Sequence, residues 1–266
     1  MIANKKITII GGGNMGSAIA KGIVSANLTT ASQITLTRRN AEHLQTLKAE
    51  GFNVSTDNKT AVSNADIVLF AVKPWLTIDV ITEVAPHLKK NALILSVATG
   101  ISLQQLDEAL AGKYAIVRAM PNTAAEVRES VTALCLKSTT EEQANIAKEI
   151  FEQIGLCVVI DEQLMPAITA LASCGIAHAL RFIRAMMESG IEMGLTSKQS
   201  AQIAAQTVKG AAELILKNNS HPEVEIDKVC TPKGVTITGI NEMEHAGFTS
   251  AVIKGIMGSY NKIVGK

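Results

Sequence analysis

The chain has 266 residues, 47% hydrophobic and 3% aromatic, and its 25 Lys and Arg against 24 Asp and Glu leave a net charge of +1. That balance argues against a binder of nucleic acid or anionic membrane, which draws affinity from excess positive charge, and one Trp, two Tyr and five Phe leave little to stack bases on. The apolar fraction excludes a disordered chain, and the length allows one large domain or two modest ones with a core of small and branched side chains.

The first apolar run, Ile7 to Ile10, is too short for a signal-peptide core. The four cysteines, Cys135, Cys157, Cys174 and Cys230, form no CxxC pair and read as buried thiols of a reducing compartment. A cytoplasmic protein is expected.

Ile7 to Ile10 reads as a strand that runs into Gly11-Gly12-Gly13-Asn14-Met15-Gly16. Glycines 11, 13 and 16 fit G-x-G-x-x-G, and Met15, Ala18, Ile19, Gly22, Ile23 and Ala26 fall on one face of a following helix. Each glycine has a separate physical task. Gly11 permits the tight turn, Gly13 lets backbone approach a pyrophosphate, and Gly16 lets helix and strand pack closely. The helix N-terminus then offers free N–H groups and partial positive charge to phosphates.

Ile34 to Thr37 is the second strand, followed by Arg38-Arg39-Asn40. A carboxylate near this point takes the ribose 2′-hydroxyl of NAD, whereas arginine accommodates the 2′-phosphate of NADP. With two guanidiniums and no Asp or Glu, NADP(H) is the preferred cofactor and NAD(H) a possible one; the plainer alternative is a solvated charged loop. Asn40 can cap a helix that stops at Gly51, with Ala41, Leu44 and Leu47 as its apolar stripe. Phe52 to Ser55, Ile67 to Val72, Ala92 to Ser96 and Ala115 to Arg118 read as further strands. Trp75 to Leu88 and Leu103 to Leu110 read as the helices between the later ones. Val131 to Leu136, a helix capped by Thr140, and Cys157 to Ile160 complete the alternation. The fold class expected is α/β: a Rossmann-type, doubly wound, mostly parallel sheet, then an all-α C-terminal dimerisation domain. The domains divide as 1–162 and 163–266.

From Gln163 to Leu180 there is no charged residue, which reaches the roughly 18-residue length of a membrane span. Pro166, Ser173, Gly175 and His178 interrupt it and Arg181 and Arg184 follow, so a helix buried within one subunit or between two is the better reading. Leu164 to Gly194 is expected as one long helix. Thr196-x-x-Gln199 opens a second helix to about Asn218, Glu223 to Val229 forms a short one, and Ile237 to His245 and Thr249 to Val264 form the last two. These helices are rich in Ala and Gly and bury little alone, so they are expected to pack against a second subunit.

The long helix offers no clear base for oxidising an alcohol: besides Arg181 and Arg184 it holds His178, which sits among Ile176, Ala177 and Ala179, as a core or interface histidine would. Reduction of a protonated imine needs no strong acid, which points weakly to a C=N substrate. The loop Thr231 to Thr236 leads into a helix, so its N–H groups fit a carboxylate site or an ordinary capped turn equally well.

Gly11 to Gly16 with Asn14-Met15, Ala71-Val72-Lys73-Pro74, Arg118 to Thr123 (RAMPNT) and the Pro-x-Gly-x-Thr loop at 232–236 occur in this order along the chain. Over its whole length the sequence resembles the pyrroline-5-carboxylate reductases. The resemblance implies hydride transfer from NAD(P)H to the C=N carbon of 1-pyrroline-5-carboxylate, giving L-proline, in a homodimer or larger homo-oligomer without membrane or nucleic-acid partners. It implies Asn14 and Met15 in the pyrophosphate turn, Asn58, Ala71, Val72, Lys73 and Pro74 along the cofactor, and Ala98 near the nicotinamide. It assigns Val235 and Thr236 to the substrate, with Thr236 as the catalytic residue on the ring nitrogen; Asn122, Lys233 and Gly234 are further substrate-binding candidates. Two segments depart from the family's pattern. Ser173-Cys174-Gly175-Ile176-Ala177-His178 stands where Ser-Gly-(Ser or Gly)-Pro-Ala-aromatic is usual, and Lys233 replaces a glycine. That lysine either strengthens carboxylate binding, points to solvent, or signals a shifted substrate. The rival functions are reduction of another cyclic imine or small keto acid, and a non-catalytic NADP-binding sensor or scaffold.

Overall fold

A computed structural model describes residues 2–266, without the side chains of Ala41 and His43. Two compact units divide the chain, Met1–Ser173 and Cys174–Lys266.

The first unit is a sheet layered between helices. In chain order it runs β1 (Ile7–Ile10), α1 (Asn14–Ser25), β2 (Ile34–Thr37), α2 (Gln45–Ala49), β3 (Asn53–Ser55), α3 (Asn58–Val62), β4 (Ile67–Phe70), α4 (Pro74–Val84) and β5 (Leu93–Ser96). Then come α5 (Leu103–Ala109), β6 (Ala115–Met120), β7 (Ser130–Lys137), α6 (Glu141–Glu152), β8 (Gly155–Val159) and α7 (Met165–Ile168). The strand order is β3-β2-β1-β4-β5-β6-β7-β8. All neighbours are parallel except β7, which runs against β6 in register Arg118 to Cys135 and Met120 to Ala133. The order reverses between β1 and β4, where an open α/β sheet places its ligand crevice.

Period-two alternation sends successive strand residues to opposite layers. Ile9, Leu69, Leu95, Val117 and Leu134 pack with Ile19, Ile23 and Phe151 on one side of the sheet. Ile10, Phe70, Ile94 and Ile116 pack with Ile81 and Leu106 on the other. Both faces are covered, as parallel strands require. Trp75, the sole tryptophan, stands 74% exposed in the first turn of α4 beside Pro74.

Three expectations are corrected here. Residues 41–49 form not one helix but a 3-10 turn, Ala41–Leu44, followed by the five-residue α2. The expected Ala41 side chain on its apolar stripe lies outside the described residues. Helix α3 is additional to the expected elements. Between α7 and the next helix, residues Thr169–Ser173 form a π turn, so the helical stretch from 164 is not uniform.

The second unit is all helical: α8 (Cys174–Glu192), α9 (Ser197–Asn218), α10 (Pro222–Val229), α11 (Val235–His245) and α12 (Phe248–Ile263). Thr196 and Gln199 form the expected capping box, with Gln199 N–H to Thr196 Oγ1 at 3.3 Å. Among the described residues only Gly190, Ser200, Ala204 and Glu225 of this unit are buried. Phe182, Ile237, Phe248, Ile253 and Met257 all lie exposed. The segment Glu162–Glu192 is long and apolar enough to cross a membrane, and only 6% of its apolar window is buried in the chain. Burial of this helix within one subunit, one of the two expectations, is therefore not what the chain shows.

Candidate active site

A cleft of about 810 Å3 opens at the C-terminal ends of β1, β2, β4 and β5, within the size range of small-ligand sites. Gly11, Gly13, Asn14, Met15, Arg38, Arg39, Asn58, Ala71, Val72, Lys73, Pro74 and Ala98 all line it. Residues far apart in sequence, singled out on separate grounds, thus share one surface.

The glycine turn explains its own composition. Gly11 has φ +111°, and a Cβ there would lie 2.5 Å from the Ala71 carbonyl oxygen. A Cβ at Gly16 would collide with the Gly11 carbonyl oxygen, so Gly16 serves packing and does not line the cleft. Gly13 differs: a Cβ there meets nothing within 4 Å. It faces the open cleft, and glycine keeps that side free for a ligand. The Gly11 and Gly12 N–H groups donate to the Thr37 carbonyl at 3.1 and 2.8 Å, tying the turn to β2. Helix α1 has Gly13 at its N-cap, with no side-chain cap and no acidic residue in its first turn. The N–H groups of Asn14, Met15 and Gly16 have no acceptor among the described residues. Unpaired donors at the positive end of a helix dipole fit a pyrophosphate.

Beside the turn, Arg38 and Arg39 are exposed on the cleft wall. Among the described residues neither has a carboxylate partner, and the Arg38 Nη1 lies 3.5 Å from the Gly12 carbonyl oxygen. Asn40 Oδ1 accepts the Glu42 N–H at 2.9 Å, so the third residue of that run is a cap. On the opposite wall Lys73 is extended ahead of Pro74, the first residue of α4. Further along, the buried Ser96 hydroxyl accepts the Ala98 N–H at 3.4 Å.

Asn122 does not line the cleft. It is 5% exposed; its Oδ1 accepts the Ala124 N–H at 3.0 Å and its Nδ2 donates to the Ala172 carbonyl at 3.2 Å. Its amide bonds to the 3-10 turn Thr123–Val127 and to the π turn. Thr123, the last residue of the RAMPNT run, lines the cleft, as does Glu126, which sequence reasoning passed over.

In the helical unit, the Gly234 N–H donates to the Thr231 carbonyl at 2.9 Å, closing a turn with Pro232 and Lys233 at its centre. Lys233 has φ +60°, at the position where such a turn ordinarily takes glycine. A Cβ on Gly234 would lie 2.5 Å from Thr231 Oγ1. Val235, 90% exposed, starts α11 and Thr236 is half-buried.

A family profile described as pyrroline-5-carboxylate reductase dimerisation matches residues 162–265, and one described as NADP oxidoreductase, coenzyme F420-dependent, matches residues 6–100. Pyrroline-5-carboxylate reductase 2 of Dictyostelium discoideum is 41% identical over 97% of this chain and 92% of its own length. The chain belongs to the pyrroline-5-carboxylate reductase family. Reductase 1 of the same organism is 44% identical over 96% of this chain, which spans about half, 49%, of that longer protein. Among solved structures, the pyrroline-5-carboxylate reductase of Coxiella burnetii has a TM-score of 0.92 at 30% identity, covering 97% of each chain. That of Plasmodium falciparum, with NADP bound, has a TM-score of 0.85 at 28% identity over 98% of this chain and 97% of the other.

Membership gives the site its class: an NADP-using oxidoreductase with a dimerisation domain. The residues present fit that cofactor, because the side of Gly13 left open, the free donors of α1 and the unpaired arginines answer pyrophosphate and 2′-phosphate in turn. Within the family's loop pattern, φ +60° explains the usual glycine where this chain has Lys233. The thiols take no part in the cleft. Burial pushes Cys135 up to about 11 and Cys157 up to about 12.

Proposed function

We propose that this chain reduces 1-pyrroline-5-carboxylate to L-proline with NADPH, the last step of proline biosynthesis, in the cytoplasm. One observation carries the cofactor half of that reading: a cleft in which an open glycine, an uncapped helix N-terminus and two unpaired arginines meet. When bound, the reduced nicotinamide supplies a hydride to the imine carbon, and the ring nitrogen keeps the proton it arrives with.

The protein's own residues bind and orient. Gly11, Gly13, Asn14, Met15 and Gly16 shape the turn that receives pyrophosphate. Arg38 and Arg39 grip the 2′-phosphate with several donors each. Asn58 and Ala71 to Pro74 hold the adenosine side, and Ala98 leaves room for the nicotinamide ring. The N–H groups of Val235 and Thr236 at the start of α11 take the substrate carboxylate, aided by the Lys233 charge, and the Thr236 hydroxyl accepts from the protonated ring nitrogen. A cation at Lys233 is complementary to a carboxylate, which supports an amino-acid-derived imine over a neutral one. Residues 1–162 serve the nucleotide, and 163–266 serve substrate and dimerisation.

Purified protein with NADPH and pyrroline-5-carboxylate, followed at the nicotinamide absorbance, tests the assignment. Consumption of NADPH with proline as product is expected. Turnover of a different cyclic imine or keto acid, with none of pyrroline-5-carboxylate, would refute it.

A further inference from the structure

At the floor of the cleft, Thr37 joins three pieces of chain. Its carbonyl accepts from Gly11 and Gly12, and its hydroxyl donates to Asn58 Oδ1 at 2.6 Å. The residue is 1% exposed, so the hydroxyl has no bulk water as an alternative partner. A carboxamide carries one acceptor oxygen and one NH2 donor group. Asn58 lines the cleft, and its Nδ2 has no acceptor among the described residues. The Thr37 bond therefore engages the acceptor end of that amide and leaves the donor end free. Asn58 stands next to the end of β2, where a doubly wound fold reads the ribose of its dinucleotide.

We propose that Thr37 is a positioning residue for the cofactor: it fixes the Asn58 carboxamide so that the N–H groups serve as donors to the adenosine half of NADPH. This rests on the reading that the cleft takes NADPH. Backbone and hydroxyl have separate duties, because the carbonyl that anchors the glycine turn survives any substitution. The Thr37 hydroxyl bonds to the Asn58 amide, and an amide N–H donates to a ribose hydroxyl as well as to a phosphate oxygen, so the effect is expected with NADPH and NADH alike.

Calorimetric titration of the full chain with NADPH and with NADH, alongside thermal melts, tests this. Thr37→Val removes the hydroxyl and keeps the branched shape. Both dissociation constants are expected to rise about five- to tenfold, the worth of one hydrogen bond, at a melting temperature close to that of the parent. Thr37→Ser should restore both to within about twofold. Asn58→Ala should show the same loss, and the double variant Thr37→Val/Asn58→Ala should bind no more weakly than Asn58→Ala alone, as expected of groups acting in series. Unchanged affinity in Thr37→Val, a lowered melting temperature with affinity intact, or losses that add in the double variant would each overturn the proposal while leaving the cofactor reading in place. A parent protein that does not bind NADPH would overturn both.

Discussion

Gly13 and Gly16 belong to one motif, yet alanine should separate their duties. Gly16→Ala places a methyl against the Gly11 carbonyl, and overpacking of this kind costs about 1–3 kcal/mol; a clear drop in melting temperature is expected. Gly13→Ala meets nothing in the chain, so the melt should barely move while NADPH binding falls by at least tenfold. Equal effects on stability would refute the division. At Arg38 and Arg39 the test is selectivity. Replacing both by Ala removes charge-assisted hydrogen bonds of about 1.5–3 kcal/mol each, so the Michaelis constant for NADPH should rise on the order of a hundredfold and that for NADH far less. An equal rise for both cofactors would count against 2′-phosphate recognition. The buried thiols set an alkaline limit. In the unfolded chain they ionise from 9.0 upward, but folded Cys135 and Cys157 hold their protons to about 11 and about 12. Across that window the unfolded state binds fewer protons, so stability that is intact below pH 9 falls as pH rises. Denaturant titrations of the parent and of Cys157→Ala from neutrality to about pH 11 should show a shallower decline in the variant.

Elements were legible in proportion to how local their causes are. The run Ile7 to Ile10 and the glycine turn after it could be read directly, because β-branching, glycine and the α1 stripe are properties of neighbouring residues. Helix α3 could not. Its five residues, Asn58 to Val62, carry too little periodicity, and the one signal was Asp57, whose carboxylate accepts the Lys59 N–H at 2.9 Å. The π turn was equally hidden, since the partner of its Ala172 carbonyl, Asn122, is 50 residues away. Local patterning likewise missed the pair between Arg118 Nη1 and Glu162 Oε1 at 2.5 Å. That carboxylate oxygen also accepts the Leu103 N–H at 2.7 Å, so one side chain ties β6 to the start of α5. Glu162→Gln keeps the acceptor and removes the charge. A loss of about 1–2 kcal/mol is expected, smaller than for a fully buried pair, measured as a shift in denaturation midpoint. Most of the cleft was predictable because the fold reserves strand ends for ligands. The bonds of Asn122 to Ala124 and Ala172 were not legible, because a motif residue that ties turns together looks, in sequence, like one that serves substrate.

At the scale of the molecule, the two units spend their apolar residues differently. The sheet unit buries them on both faces of its own strands, whereas the helical unit leaves Phe182, Ile253 and Met257 in solvent, a surface that a dimerisation domain exists to cover. Light scattering should therefore give a dimer or a multiple of one. Ile253→Glu, which would bury an unpaired charge between subunits, should shift the distribution toward monomer; an unchanged mass would remove α12 from the interface. Protomer concentration should also raise the melting temperature, since association stabilises only folded chains. Trp75 adds a practical consequence. As the sole indole of the chain, one residue beyond the Pro74 that lines the cleft, it makes the protein spectroscopically self-reporting: its emission overlaps the absorption of reduced nicotinamide, so energy transfer from a single known donor would follow dinucleotide arrival and departure with no dye attached.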